Sequence, residues 1–340
     1  MAENTKIEWC DSTFNPVVGC QKVSAACDFC YAEAQDKRFG GNHWGPNAAR
    51  RRTTPQNWNK PRKWHREADK FFSEHGRRRR VFCASMADVF DNKWEDEWRA
   101  DLWGLIRECS SIDWLLLTKR PQNIPGMIPE FWDDIKGHIW LGRTVENAEN
   151  LNKAKGHEIF MHVDAAVHFL SCEPLLSGLD LEHIDLGNGR LLNGLTGVED
   201  AAGGNQVIWR NKIGWVITGG ESGLRKNARY CNPDHVRRLQ AQCARNETPF
   251  LFKQWGNWVP WQPADAPFFQ SQNGQYVDGH VAPWLDKDGE ALYEMDGTNW
   301  QVDYGDLADE SDTLTLYQYT NKATAGRELD GITYTEFPRP

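Results

Sequence analysis

Residues 114–120 read Trp-Leu-Leu-Leu-Thr-Lys-Arg, an unbroken apolar run that stops at polar, ionisable side chains. The same pattern recurs in RVFCASM (80–86), IWLGRTVEN (139–147), VHFLSCEPLL (167–176), WVITGGESG (215–223) and PFLFKQWG (249–256). Consecutive apolar residues, as opposed to alternating ones, are expected of parallel strands covered on both faces. Helical signals fall between these runs. Asn92 and Glu95 have the spacing of a capping box, and Trp98, Leu102, Leu105, Ile106 and Cys109 then share one helical face. Asn232-Pro233 reads as an N-cap with proline in the first helical position, followed by the stripe Val236, Leu239 and Cys243. Strands alternating with helices predict a parallel sheet and right-handed crossovers. The fold class is therefore α/β: a partial (β/α) barrel of about six to seven strands, the first of them at Lys6–Trp9.

Each run also ends in polar groups: Ser85 and Asp88; Thr118, Lys119 and Arg120; Thr144, Glu146 and Asn147; Ser171 and Glu173; Thr218 through Ser222; Lys253 and Gln254. An α/β barrel builds its site at the C-terminal ends of its strands. One polar strand end means little, but six in succession predict a lined cavity.

With 340 residues and 40% apolar composition, the chain can bury a substantial core. The expected organisation is a barrel over 1–260, with a basic insertion at 40–80 and a loop insertion at 177–213. A small, acidic, β-leaning appendage at 261–340 follows, with short alternating pieces such as Ala291–Met295 and Thr313–Tyr319. No secretory leader and no apolar run of ~18–20 residues is evident, so the reading is a soluble, cytoplasmic protein with no membrane partner. Nine unevenly spaced cysteines suggest metal binding or core packing and not a disulfide framework.

The net charge of −9 conceals an asymmetry. Residues 50–80 hold twelve Lys and Arg against three acids, whereas residues 261–340 hold fifteen acids against four bases. Trp44, Trp58 and Trp64 lie in or beside the basic stretch. Arg51, Arg52, Trp58, Lys63 and Trp64 are accordingly candidates for nucleic-acid contact, combining phosphate pairing with base stacking. The plainer reading of such a stretch is a solvated face.

Cys20-x6-Cys27-x2-Cys30 occupies a Gly- and Pro-containing loop followed by the helix-prone YAEAQDKRF (31–39). Three thiolates can hold three irons of a 4Fe–4S cluster and leave the fourth open. This arrangement resembles radical S-adenosylmethionine (SAM) enzymes, whose usual signature is C-x3-C-x2-C with an aromatic residue before the last cysteine. Phe29 holds that aromatic position and the final spacing is kept, while the first gap is six residues instead of three. A more extensive resemblance is to a phage- and prophage-associated three-Cys-motif family of radical-SAM-like proteins. It is carried by IEWCDSTFNPVVGC (7–20), CDFCYAE (27–33), LLTKRPQN (116–123), LGRTVEN (141–147), SCEPLL (171–176), VITGGESG (216–223), FLFKQWG (250–256) and GRELDGITYTEFPRP (326–340).

The resemblance implies a 4Fe–4S cluster on Cys20, Cys27 and Cys30, SAM on the open iron, and a flavodoxin- or ferredoxin-like electron donor. It implies a bacterial host or phage-infected cell, and a nucleic-acid base as substrate. One version is hypermodification of phage DNA, by rearrangement of an amino-acid-decorated thymine. Phe29, Tyr31, Ser85, Asp88, Thr144, Ser171, Gly219, Gly220 and Glu221 become candidates for cofactor contact, with Glu221, Glu173 and Lys253 as catalytic groups. Gly219-Gly220-Glu221 has the chemistry of the segment that holds the methionyl ammonium, although that segment usually follows the second strand and here follows about the sixth.

The alternative is a structural zinc site with Cys10 as fourth ligand, in a nucleic-acid-binding or partner-docking protein without catalysis. Cys83, Cys109 and Cys243 read as core, and Cys172 as packing more than chemistry. The phosphate loop G-x4-G-K-[ST], G-x-G-x-x-G, HExxH and G-x-S-x-G are all missing from the sequence.

Overall fold

The structure, a computed structural model, describes residues 4–201, 203–223, 227–260, 271–272, 275–276, 300–303, 315–320 and 324–338. Seven strands form one sheet in chain order: β1 (Ser12–Phe14), β2 (Arg79–Cys83), β3 (Ile112–Thr118), β4 (Ile139–Thr144), β5 (Val167–Cys172), β6 (Ile213–Thr218) and β7 (Phe250–Phe252). All pair in parallel with their sequence neighbours, and β1 does not meet β7, so the sheet curls into a half-barrel. The expected α/β partial barrel is the observed one.

Side chains on these strands divide by a period of two. Phe82, Leu115, Trp140, Phe169, Trp215, Ile217 and Leu251 face the concave side, where Trp9 joins them. Val81, Cys83, Trp114, Leu116, Leu141, Leu170, Val216, Phe250 and Phe252 face the surrounding helices. Gly142 occupies an inner position because a β-carbon there would overlap the Phe169 ring. Trp140 and Trp215 meet edge to face at 5.8 Å, and Trp9 packs on Phe82 at 4.5 Å. The lower interior is thus a plug of aromatic rings, a packed core and not a pore.

The main helices are α1 (Tyr31–Arg38), α2 (Asp96–Glu108), α3 (Ala154–His162) and α4 (Pro233–Arg245). Helix α4 begins as expected, with the Asn232 side chain accepting from the Asp234 amide at 2.8 Å and Val236, Leu239 and Cys243 fully buried. Helix α2 departs from expectation at its start. Asn92 does not cap it; Glu95 is the N-cap residue and makes no side-chain cap bond. The chain before it is drawn inward by Asp91, which is wholly buried and pairs with Arg50 at 2.7 Å.

Three other expectations need correction. The first strand is Ser12–Phe14, because Lys6–Trp9 turns so that Trp9 can enter the barrel interior. The insertion at 177–213 is not simply a loop. It contains an antiparallel meander of Ile184–Gly187, Arg190–Asn193, Val198–Ala201 and Asn205–Ile208. Finally, the C-terminal segment is not all appendage.

Strands Trp258–Pro260, Thr315–Tyr319 and Trp300–Asp303 do form a small antiparallel sheet, and the piece Ala291–Met295 lies outside the described residues. Residues 324–338, however, return to the barrel. The Phe252 amide donates to the Tyr334 carbonyl and the Glu336 amide to the Phe250 carbonyl, both at 3.2 Å, which covers the open edge of β7. Phe337 then packs 5.1 Å from Trp215 and under the Arg80 guanidinium at 3.9 Å. Among the described residues, no helix is long and apolar enough to cross a membrane.

A candidate active site at the strand ends

Toward the C-terminal ends of the strands, the inward positions change from apolar to polar in the same register. Two residues beyond Leu117 is Lys119; Thr144 follows Gly142; Ser171 and Glu173 follow Phe169; Lys253 follows Leu251. These residues surround a cavity of about 330 Å³. Its wall also includes Phe29, Tyr31, Trp44, Ser85, Asp88, Gly220, Glu221 and Gln254, together with Cys20, Cys27 and Cys30. Of the nine cysteines, no other lines it. Cys83, Cys109, Cys172 and Cys243 are sealed in the core, as their positions suggested.

The cysteine loop is held by the scaffold. The Gly19 amide donates to the Met86 carbonyl at 3.0 Å and the Gly45 amide to the Cys20 carbonyl at 2.9 Å. Gly19 has φ +118°, and a β-carbon there would collide with the His43 carbonyl. Cys27 closes a short 3-10 turn (Ala25–Cys27), and Cys30 immediately precedes α1.

Asp88 is buried and saturated: it accepts from Thr118 Oγ1 at 2.9 Å, the Lys119 amide at 3.1 Å and Arg120 Nη1 at 2.8 Å. Arg120 in turn points both terminal nitrogens at Cys20 Sγ, at 3.5 and 3.6 Å, and donates to the Gln21 carbonyl at 3.0 Å. Burial, with Asp88 adding to it, raises the Cys20 thiol to about 11, and Arg120 opposes the rise. Both carboxylate oxygens of Asp88 are therefore engaged by donors of the protein itself.

Glu173 and Lys253 form a partly buried ion pair at 2.8 Å, with Ser171 Oγ donating to Glu173 at 3.3 Å. Burial alone would lower the Lys253 pKa; the Glu173 carboxylate outweighs it and holds the ammonium above its usual range. Tyr31 donates its hydroxyl to the Ser85 carbonyl at 2.8 Å, while Ser85 Oγ accepts from Asn15 Nδ2 at 3.0 Å.

The Gly-Gly-Glu segment is otherwise engaged. The Gly220 amide donates to the Gln254 carbonyl at 2.8 Å, the Gly219 amide to the Cys172 carbonyl at 3.3 Å, and Gly219 is not on the cavity wall. A β-carbon on Gly220 would overlap the Trp255 carbonyl, so these glycines let two loops lie against each other. Glu221 is gripped by Arg229, whose Nε and Nη2 each donate at 2.8 Å. The same guanidinium reaches Asp28 at 3.2 Å and the Ala25 carbonyl at 3.0 Å, and lies 5.2 Å above the Phe29 ring. It ties β6 to the cysteine loop.

Arg229 and Glu8 have larger roles here than their positions in the sequence suggested. Glu8 Oε2, Thr144 Oγ1 and Gln254 Oε1 are buried oxygens without a hydrogen-bond partner, all on residues of the cavity wall. Unsatisfied acceptors in a wall are costly unless a donor-bearing ligand meets them. Glu8 stands inside the 7–20 block but ahead of the first strand, and Arg229 follows no strand end. The polar strand ends mark Gln254 and Arg120 in the sequence; no comparable local signal marks Arg229.

The candidates for nucleic-acid contact are placed elsewhere. Trp58 and Trp64 are 6% and 1% exposed, with Trp58 packed edge-on to Phe14, so neither ring is available for base stacking. Arg52 covers Trp58 and pairs with Asp101 at 2.6 Å, Lys63 lies 3.9 Å from Glu67, and Arg51 is exposed. Neighbouring bases are internally matched: Arg50 to Asp91, Arg62 to Glu108, Arg77 to Asp11 and Arg78 to Asp113. The two rings expected to stack are therefore core, and the bases around them brace the scaffold.

Among the described residues, no group of three or more His, Cys, Asp or Glu side chains converges as a metal site, although Cys20, Cys27 and Cys30 all line the cavity. No curated protein and no solved structure matches the chain. One family does, over residues 4–338, and the chain belongs to it: the family described as protein of unknown function (DUF5131).

Proposed function

We propose that this protein is a radical SAM enzyme whose Cys20, Cys27 and Cys30 hold a 4Fe–4S cluster with one open iron. The observation that carries the proposal is that these three sulfurs, and no other cysteine, share one cavity with the polar strand ends of the barrel. The donor set suits the group in chemistry: three soft thiol ligands and room for a small ligand beside them. Cys10 does not line the cavity; it is buried with Trp9 and Phe82, and burial pushes its thiol up to about 12. A four-cysteine zinc site in a non-catalytic docking protein accordingly has less support.

Such a cluster would supply one electron to SAM, whose cleavage gives a deoxyadenosyl radical able to take hydrogen from a substrate. The chain's own residues provide the surroundings. Trp9 and Phe82 seal the cavity floor against water entering from below. Lys253 and Glu173 place a matched charge pair at the floor, from which Lys253 can donate a proton or hydrogen bond to a developing anion. The Arg229–Glu221 tie holds the cysteine loop over the strand ends. Phe29, Tyr31 and Trp44 are aromatic residues of the wall, which suits a heterocyclic ligand such as adenine or a substrate base. A modified thymine of phage DNA is the substrate candidate consistent with that chemistry. A flavodoxin- or ferredoxin-like protein would deliver the electron.

The test is anaerobic reconstitution followed by EPR of the reduced protein with and without SAM. A 4Fe–4S signal that SAM perturbs and Cys27→Ala abolishes is the expected result. Reconstituted protein with no cluster, or with a cluster indifferent to SAM, would overturn the proposal.

A further inference from the structure

Arg120 stands out because its chemistry is directed at a sulfur. Its side chain is 3% exposed and fixed on three sides. Asp88 holds Nη1 at 2.8 Å, the Gln21 carbonyl holds Nη2 at 3.0 Å, and both nitrogens face Cys20 Sγ at 3.5 and 3.6 Å. Asp88 cannot swing away, since Thr118 Oγ1 and the Lys119 amide bind the same carboxylate. A thiol is a weak acceptor, and two guanidinium N–H groups aimed at one sulfur suit an anionic thiolate far better. Among the described residues, neither Cys27 nor Cys30 has a corresponding side-chain cation on its sulfur. The three ligand sulfurs are therefore inequivalent.

We infer that Arg120 is a positioning residue for Cys20, and that its N–H···S bonds set how readily the metal group held by the three cysteines is reduced. The inference rests on the iron–sulfur reading. Hydrogen bonds to ligand sulfurs and local net charge are two of the quantities that fix a cluster's potential. A donor that stabilises negative charge on sulfur favours the reduced state, which carries one more electron. The carboxylate of Asp88 both steers the guanidinium and offsets part of its field.

The two groups should therefore act with opposite signs, which a purely structural role would not produce. In anaerobically reconstituted protein, EPR-monitored redox titration gives the midpoint potential directly. Arg120→Lys keeps a cation beside Asp88 but loses the two-pronged hold on Cys20. At the wild-type midpoint, its ratio of reduced to oxidised cluster should fall about tenfold, equivalent to ~59 mV for one electron. Asp88→Asn removes the offsetting charge, and its ratio should rise at the same applied potential. Iron content per chain is measured alongside, so that a lost cluster is not mistaken for a shifted one. If both variants hold iron normally and keep the wild-type midpoint, or move in the same direction, the inference is overturned while the cluster assignment stands. Wild-type protein that takes up no iron would overturn both.

Discussion

The cysteine loop at 20–30 and the basic segment at 50–80 are close in the chain but use their charges in different ways. In the loop, charge is turned onto the site: Arg120 faces Cys20, and Arg229 binds Asp28 and Glu221 across the cavity mouth. Phe29, and Tyr31 just after the loop, stay partly outside, 38% and 57% exposed. In the basic segment, charge is turned into the scaffold. Arg50 and Asp91 pair with no exposure, and Arg77 binds Asp11 through two contacts of 2.7 Å. The segment's tryptophans are core, not surface. A cluster of like charges in a sequence therefore does not by itself report the field outside the fold; what matters is which partners the fold brings to those charges.

Four experiments would sharpen or break this contrast. The largest effect belongs to the loop: Cys27→Ala should eliminate the EPR-active cluster while leaving the urea midpoint of the apoprotein close to wild type. Retained cluster would mean that the sulfurs sharing the cavity do not act together. Next is Trp64→Ala in the basic segment, expected to cost about 3–5 kcal/mol in urea denaturation, because a fully buried ring leaves a cavity. A loss under ~1 kcal/mol would show that the segment is less of a scaffold than its burial implies.

Asp11→Asn is a smaller change with a definite pH signature. Burial tends to raise the Asp11 pKa, but hydrogen bonds from Arg77 and the Arg80 amide prevail and hold it below the usual carboxylate value. A depressed carboxylate stabilises the fold above its unfolded pKa, and that contribution is lost as pH falls through the folded value. The wild type should thus exceed Asp11→Asn by about 1–3 kcal/mol at neutral pH, with the gap closing below ~pH 4. A pH-independent gap would place the effect in packing instead.

Smallest of all is Lys63→Gln. Its pairing with Glu67 is loose and exposed, so stability should change by no more than ~0.5 kcal/mol. Retention on a polyanion column should not change either. A marked loss of retention would restore the basic segment as a nucleic-acid surface and weaken the contrast.

Much of the fold was legible because its signals are local. Apolar runs such as 114–117, bounded by polar residues and alternating with helical stretches, favour strands covered on both faces, and Asn232-Pro233 starts a helix because an apolar stripe at helical spacing follows it. The cavity was legible for the same reason: polar residues at successive strand ends must converge if the strands are parallel and neighbouring. Less legible were features that depend on distant partners. Asn92 has cap chemistry, yet the buried Arg50–Asp91 pair delays the helix to Asp96. Trp58 and Trp64 looked like stacking platforms until α2 and the barrel covered them. The tail at 324–338 read as part of an appendage because nothing local says that Phe337 fits under Arg80.

Sequence alone therefore determined the parallel half-barrel, the polar rim and the placing of Cys20, Cys27 and Cys30 in one loop, because periodicity and spacing act over a few residues and do not need the rest of the chain. Only the tertiary structure decided which charges face the cavity and which brace the scaffold. Ion pairs such as Arg120–Asp88 and Arg50–Asp91 join residues 32 and 41 positions apart. Their partners are chosen by how strands and loops come together in space, and a charge buried without its partner would be too costly to keep.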